Sequence, residues 1–393
     1  MSRHAAAPDG PDPADAPGPL AGIRVVELGG IGPVPFCAML LADLGADVVR
    51  IHRPSDIGTD PNPVLDRGRR SLAVDLKNPA GAEIVRSLID EADVVIEGFR
   101  PGVAERLGFD PAVLRTSNPR LVFGRMTGFG QDGPLAVQAG HDINYIALSG
   151  ALGSIGRAGQ PPTPPLNLVG DFGGGGMLLA FGVVSAVLNA RTTGRGQVVD
   201  TSMVEGSGLL MAMMYGRLAQ GAWSLERGRN LFDGGAPFYD VYECADGAHI
   251  AVGAIEAPFF ANLVDVLGVA QSVDVTAQHD PRTWPAMRET FAAAFGSAAR
   301  DEWVAHFEGT DACVTPVLTM GEVNTHPHNT VRESFFVGDE GAVHPATAPR
   351  FHGTPNPIPA RAPAPGQDTR SILAGLGHSP HDVDTLISNG VVQ

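Results

Sequence analysis

Apolar positions along this chain follow two rhythms, and the switch between them marks out the elements. "IRVVELG" from Ile23 is a short β-branched run, "GIGP" breaks it, "PFCAMLLADLGA" has helical spacing, and "DVVRIHRP" is a second β-branched run. Strand, helix and strand within about thirty residues predict a right-handed βαβ unit in a parallel sheet. A second unit follows: "SLAVDL", then "NPAGAEIVRSLIDEA" with Pro79 near its first turn, then "DVVIEGF". "RLVFGRMTGFG" predicts another strand, "MLLAFGVVSAVLNA" a buried helix, and "GQVVDTSMVEGSGLLMAMMYGRL" a strand running into a helix. From Pro237 the pattern changes. "FYDVYECADGAHIAVGAI" reads as two antiparallel strands joined by Ala245-Asp246-Gly247, with helical segments after it. The expected fold class is α/β: a doubly wound parallel sheet in a large domain, with a smaller α+β domain. The expected order is a disordered tail (1–19), the large domain (20–205), a linker helix (206–236), the small domain (237–325) and a C-terminal strap returning to the large domain (326–393).

Length and composition narrow the classes. A chain of 393 residues with 44% hydrophobic positions is expected to hold two cores. A formal charge of −16 argues against nucleic acid as a partner, since sequence-independent binding needs a basic surface. The odd set Cys37, Cys244 and Cys313 fits a reducing compartment better than a disulfide framework. The start, "MSRHAAAPDGPDPADAPGPLAG", lacks the apolar stretch of a signal peptide, and the run Met177 to Ala190 is shorter than a bilayer span. A soluble, cytoplasmic protein with no membrane partner is the expectation.

Familiar motifs fail. Gly30-Ile31-Gly32-Pro33-Val34-Pro35 lacks the third glycine of a dinucleotide turn, and the second strand ends in Arg50, His52 and Arg53 where NAD wants an acid. No serine-hydrolase elbow, P-loop, zincin helix or paired C-x-x-C occurs, so neither a metal nor a serine nucleophile is indicated. Arg50, Arg53, Arg67, Arg69, Arg70 and Lys77, followed by Arg100 and Arg106, make one basic stretch in an acidic chain. It reads either as a solvated arginine-rich loop or as an anion site at the C-terminal edge of the sheet. A nucleotide with several phosphates, such as coenzyme A, fits the second reading, because guanidinium grips phosphate bidentately.

Two stretches carry candidate chemistry. In "GHDINY" His141 stands beside small and apolar residues, where modest shifts bring an imidazole toward neutrality. It reads equally as a core histidine with a satisfied hydrogen bond. In "LVGDFGGGG" Asp171 caps or starts a helix whose free N–H groups stabilise a developing oxyanion, and the tetraglycine permits close approach to a ligand. A plain N-cap is the other reading.

Taken together, "LAGIRVVEL", "DLGADVVRIHRP", "EGFRPGVAERLG", "GHDINYIALSGAL", "PPLNLVGDFGGGGM", "GQVVDTSMVEGS" and "FYDVYECADGAHIAVGAIE" resemble the α-methylacyl-CoA racemases, within the class III CoA-transferase fold superfamily. The resemblance runs from Leu20 to about Arg350 and implies that the large domain is a Rossmann-like, CoA-binding one. It implies racemisation of 2-methylacyl-CoA thioesters by removing and returning the Cα proton through an enolate. On that pattern His141 serves one face of Cα, Asp171 the other, and Glu256 in "VGAIEAPFF" orients the histidine. Arg53 holds the nucleotide phosphate. Val74, Asp75, Leu76 and Lys77 line the adenosine, with Gly98, Phe99, Arg100 and Arg106 beside them. The stretch Gly140, Asp142, Ile143, Asn144 and Tyr145 approaches the pantetheine and thioester, and Met211, Met213 and Met214 receive the acyl part. No separate cofactor is implied, since CoA belongs to the substrate. The family pattern further implies an interlocked homodimer, with each site formed between the large domain of one subunit and the small domain of the other. Two alternatives stand: a class III CoA-transferase with Asp171 as nucleophile, and a non-catalytic acyl-CoA-binding protein.

Overall fold

The β-branched runs become the strands of one sheet in the computed structural model, which describes residues 18–354 and 359–393. The expected tail over 1–19 therefore lies almost entirely outside the described residues. β1 (Arg24–Glu27), α1 (Pro33–Asp43), β2 (Asp47–His52), β3 (Arg69–Ala73), α2 (Pro79–Asp90), β4 (Val94–Glu97) and β5 (Val122–Thr127) follow in turn. After them come α3 (Asp142–Leu148), a π-helical segment (Leu168–Met177) continuous with α4 (Leu178–Thr193), β6 (Val198–Ser202) and α5 (Met203–Leu210). The six strands are parallel in the order β3-β2-β1-β4-β5-β6, with Val25 opposite both Val48 and Val94. β4 and β5 are buried along their whole length, as strands covered on both faces must be, and their charged members Glu97 and Arg125 pair with each other at 2.8 Å. One face packs Ile84, Val85, Ile89 and Phe109 with Ile372 and Leu373 from the C-terminus; the other packs Val34, Leu41, Leu179, Val183 and Ala186.

Asn78 accepts a hydrogen bond from the Ala80 N–H at 3.0 Å and starts α2, with Pro79 in its first turn. The apolar run expected to be short is in fact part of a helix of 26 residues, Leu168–Thr193, which contains an 18-residue stretch of mean hydropathy 1.6. By length and composition it is long and apolar enough to cross a membrane. Its inner stripe, Leu179, Val183, Ala186 and Ala190, is buried in the core on one face of the sheet, while Phe181 and Leu188 are exposed.

The tetraglycine is needed for packing. A Cβ on Gly174 would lie 2.5 Å from the Ser207 nitrogen, and one on Gly176 would lie 2.6 Å from the Pro33 carbonyl oxygen. From the other side, a Cβ on Gly206 would stand 1.8 Å from the Gly174 oxygen. α1 and α5 therefore touch the π-segment backbone to backbone, a separation that only glycine permits.

The chain divides into two compact units: one takes residues through Ser149, Leu166–Leu210 and Phe335–Gln393; the other takes Gly150–Pro165 and Met211–Ser334. The excursion 150–165 leaves the large unit inside the range assigned to it, and the division near the expected linker falls between Leu210 and Met211. From Met211 onward the second unit holds α6 (Ala212–Ala219) and an antiparallel sheet of β7 (Tyr239–Glu243), β8 (His249–Gly253) and β9 (Val314–Pro316). The predicted turn is present, with the Gly247 N–H bonded to the Cys244 carbonyl at 3.0 Å. α7 (Ala257–Val266), α8 (Trp284–Phe295) and α9 (Arg300–Phe307) supply a core rich in aromatic rings, including Phe238, Phe260, Phe291, Phe295 and Trp303. The C-terminal part forms the hairpin β10 (Phe335–Val337) and β11 (Val343–Pro345), then α10 (Thr369–Gly375) and α11 (Pro380–Ser388). It docks on β3: the Asp368 carboxylate accepts the Ser71 N–H at 2.9 Å, and the Gln393 N–H bonds the Ala73 carbonyl at 3.0 Å.

The glycine contacts predict a contrast measurable by urea denaturation. Gly206→Ala is expected to cost about 3 kcal/mol through overpacking. Gly216→Ala, in α6 with open space around its Cβ position, is expected to gain about 0.5 to 1 kcal/mol from helix propensity.

Candidate active site

The strand order reverses between β1 and β4, and open parallel sheets hold their ligands at the C-terminal ends around such a point. Arg53 follows β2, Val74 to Lys77 follow β3, and Gly98 to Arg100 follow β4, so the topology gathers these sequence-named residues on one edge. Val74 is buried and bridged to Val392, and the Asp75 N–H is taken by the Val391 carbonyl at 3.0 Å. Leu76 is half-buried against the core, Lys77 is exposed, and the Phe99 N–H donates to Glu97 at 2.6 Å. Gly98 cannot carry a side chain without crowding Val34, whose methyl would lie 3.0 Å from its Cβ.

The basic stretch separates into two populations. Arg67 makes a two-point ion pair with Asp43 at 3.0 and 2.6 Å, both residues buried, and also donates to the Pro345 carbonyl at 2.8 Å. Arg69 pairs with the fully buried Glu27 at 2.8 Å; Arg50 pairs with Asp66 at 2.6 Å and Arg70 with Asp47 at 2.7 Å. These four arginines are committed to internal carboxylates, so the anion-site reading does not extend to them. Arg53, Lys77, Arg100 and Arg106 are exposed, with no side-chain ion pair among the described residues. Arg125, which sequence reasoning passed over, bridges Glu97 and Glu105 at 2.8 Å each. Burial pushes the Glu97 carboxyl up, while the Arg125 hydrogen bond holds Glu105 below the usual range.

His141 stands just before α3 in an extended conformation and is exposed. It is not a core histidine. Its backbone N–H donates to the Asn144 side chain at 3.0 Å. Asp142 is buried, and its Oδ1 accepts the Asp171 N–H at 2.7 Å, while its Oδ2 is buried without a partner. Ile143 is exposed, and the buried Tyr145 folds its hydroxyl back to donate to the Gly140 carbonyl. A Cβ on Gly140 would strike the Tyr145 ring at 2.7 Å.

Asp171 lies inside the first turn of the π-helical segment, whose cap position is Asn167. It is therefore not an N-cap, and its own N–H is not free for an oxyanion, because Asp142 has taken it. Asn167, missed in the sequence, donates its side-chain amide to Asp171 Oδ2 at 3.0 Å. Its signal was present: an amide four residues ahead of an acid in one helical turn. Burial pushes the Asp171 carboxyl above its ordinary value; the Asn167 amide pulls it back, the Asp142 charge pushes it up, and His141 pulls it down. His141 and Asp171 thus lie within electrostatic reach of each other. Gly32 closes the other side, since a Cβ there would lie 2.9 Å from Asp171 Oδ2.

Glu256 belongs to the second unit, where it precedes α7, is exposed, and helps raise the Cys313 thiol, after burial. In α6 no residue is buried, and Met213 is half exposed beside the half-buried Met211 and Met214. No group of three or more His, Cys, Asp or Glu placed to hold a metal occurs among the described residues.

The model of the CoA-transferase family III matches residues 20–369. The chain belongs to that family. It is 46% identical over 375 residues to the alpha-methylacyl-CoA racemase of Mus musculus, covering 95% of this chain and 97% of that protein. The Homo sapiens alpha-methylacyl-CoA racemase is 46% identical over 379 residues, with the same shares. A more distant family member, the succinyl-CoA–D-citramalate CoA-transferase of Chloroflexus aurantiacus, is 30% identical over 401 residues, covering 96% of this chain and 98% of that protein. Among solved structures, a CAIB/BAIF family protein from Brucella suis superposes with a TM-score of 0.79 at 25% identity, covering 92% of this chain and all of that one. In this family III fold the Asp171 carboxylate lies beside Gly32, in the loop that follows β1 at the C-terminal end of the sheet.

The Asn167 contact predicts a direction. Its hydrogen bond favours the ionised carboxylate, so Asn167→Ala is expected to raise the Asp171 pKa further. Carbon-detected NMR titration of aspartate-labelled protein reads the shift; a downward or absent change refutes the assignment.

Proposed function

We propose that the chain interconverts (R)- and (S)-2-methylacyl-CoA thioesters by carrying a proton from one face of Cα to the other. The observation that carries this reading is the pairing of an exposed imidazole, His141, with a half-buried carboxyl of raised pKa, Asp171, at one sheet edge. The 46% identity to two curated racemases supports it. One of the two groups removes the Cα proton, an enolate forms, and the other returns a proton from the opposite face; for the other enantiomer the roles exchange. The backbone N–H groups of Asp142 and Ile143, at the start of α3, have no acceptor among the described residues and meet the enolate oxygen. Arg53, Lys77, Arg100 and Arg106 hold the CoA phosphates, and CoA is part of the substrate rather than a cofactor.

The working form in this proposal is a homodimer in which the partner subunit's Glu256 orients His141. Support comes from the large exposed apolar side chains Phe181, Leu188, Leu209 and Leu210 in the first unit. A cytoplasmic setting agrees with three free cysteines, of which Cys313 is exposed.

Incubating one enantiomer of a 2-methylacyl-CoA in D2O tests the reaction. Deuterium is expected at Cα without any acceptor acid; absence of exchange together with CoA passing to a free acid selects the transferase reading instead. His141→Ala is expected to abolish exchange while CoA affinity stays within about twofold, whereas Arg100→Ala weakens CoA about tenfold. Light scattering on the purified protein is expected to give twice the 40.9 kDa chain mass. Leu188→Glu is expected to give a monomer that has lost turnover, and an active monomer refutes the shared site.

A further inference from the structure

We propose that the second unit carries a separate binding site for a planar aromatic ring bearing an anionic group. A cavity of about 440 Å³ opens there between Arg217 on α6, Trp223 in the loop after it, Arg229 in the next turn, and His279 and Trp284 around the start of α8. That volume lies in the range of small-molecule pockets. No aspartate or glutamate lines it, although the chain as a whole carries a formal charge of −16. None of its lining residues is among those placed at the sheet edge.

The side chains are held ready rather than satisfied. The Arg217 guanidinium lies over the Phe232 ring, 5.3 Å from its centroid, which fixes its direction without neutralising it. It makes no ion pair and no side-chain hydrogen bond among the described residues. Arg229 meets only Glu226, at 2.5 Å, and both are largely exposed, so that pair is weak and screened. Trp284 donates its indole N–H to the Gln278 carbonyl at 2.9 Å, and Gln278 is itself buried and bonded to the Ala254 and Ile255 carbonyls. That indole plane is therefore rigid. Trp223 has an indole N–H with no acceptor among the described residues, and the His279 ring is set edge-on to Phe238 at 5.4 Å. Arg217 and the Trp223 indole N–H, neither with an acceptor among the described residues, thus line one cavity together with a second indole, Trp284, and the lightly paired Arg229. The complement is an acceptor-rich anion attached to a ring: guanidinium forks match carboxylate and phosphate, and indole faces match a planar system. An aryl carboxylate and a nucleoside monophosphate share that chemistry.

Isothermal titration of the full-length protein, saturated with CoA so that the sheet-edge site is filled, tests the proposal. The probes are 2-naphthoate, AMP, cyclohexanecarboxylate and the neutral 2-naphthalenemethanol. Saturable binding below about 1 mM is expected for 2-naphthoate or AMP, and whichever binds names the source of the anion. The two probes lacking either the ring or the charge are expected to bind at least about tenfold more weakly. Arg217→Ala is expected to weaken the favoured probe by at least about tenfold, as loss of a charge-assisted bond should. Arg217→Lys, which keeps charge and fold but loses the fork, is expected to fall between. No saturable binding by either aromatic anion, equal binding of cyclohexanecarboxylate, or unchanged affinity in both Arg217 variants overturns the site.

Discussion

The site depends on one hydrogen bond, from the Asp171 N–H to the Asp142 carboxylate at 2.7 Å. It ties the start of α3, and therefore His141 immediately before it, to the first turn of the π-helical segment. The attachment needs a bare backbone beside it: a Cβ on Gly170 would stand 2.4 Å from Asp142 Oδ1. Burying a carboxylate with one oxygen unpartnered is costly, and the cost is tolerable because a charge-assisted bond is stronger than a neutral one. The wider helical turn matters too. π-turns inside α-helices cluster at functional sites because the extra residue re-aims the side chains it carries. Here it lets Asp171 face Asn167 and Gly32 while its backbone reaches Asp142.

A second constraint sorts the cations. Arg50, Arg67, Arg69 and Arg70 all lie in the basic stretch, yet each is spent on a carboxylate brought to it by the fold. The buried members, Arg67 with Asp43 and Arg69 with Glu27, are stakes rather than gains. Removing one partner leaves a charge stranded in a low dielectric, a loss of about 3 to 5 kcal/mol. What is left is Arg53, Lys77 and Arg100 at the sheet edge, with Arg106 shortly after them, exposed cations without an ion pair among the described residues on a chain of net −16. Their local field, not the overall charge, decides which anions approach that edge.

The alternation of β-branched and helical runs made the parallel sheet legible, because buried strands and amphipathic helices impose their periods on the sequence. Other features were not legible, for identifiable reasons. The tetraglycine gives the same pattern whether a ligand or a neighbouring helix comes close, and only tertiary structure shows α1 and α5 there. An arginine does not announce its partner: Arg67 finds Asp43 24 positions away and the Pro345 carbonyl 278 positions away. The excursion 150–165 carries four glycines and four prolines in 16 residues, a composition that marks a break in the elements but does not say which unit it packs with. His141 and Asp171 were named on resemblance, since each had an ordinary structural reading. The fold removes those readings by leaving the imidazole exposed and moving the cap to Asn167.

For a racemase the relative proton affinity of the two groups matters more than either value alone. Ordinary aspartate and histidine differ by more than two pKa units, about 3 kcal/mol or more, which would make one direction of transfer sluggish. Desolvation raises Asp171 toward the imidazole and narrows that gap, and the Asp142 charge adds to it. Asn167 works the other way by favouring the carboxylate, as does a protonated His141. When His141 holds its proton, Asp171 is kept more firmly as the ionised carboxylate; when His141 gives it up, Asp171 holds a proton more readily. Each group's state thus favours the complementary state of the other. Both directions of a reversible exchange across one carbon require such complementary states.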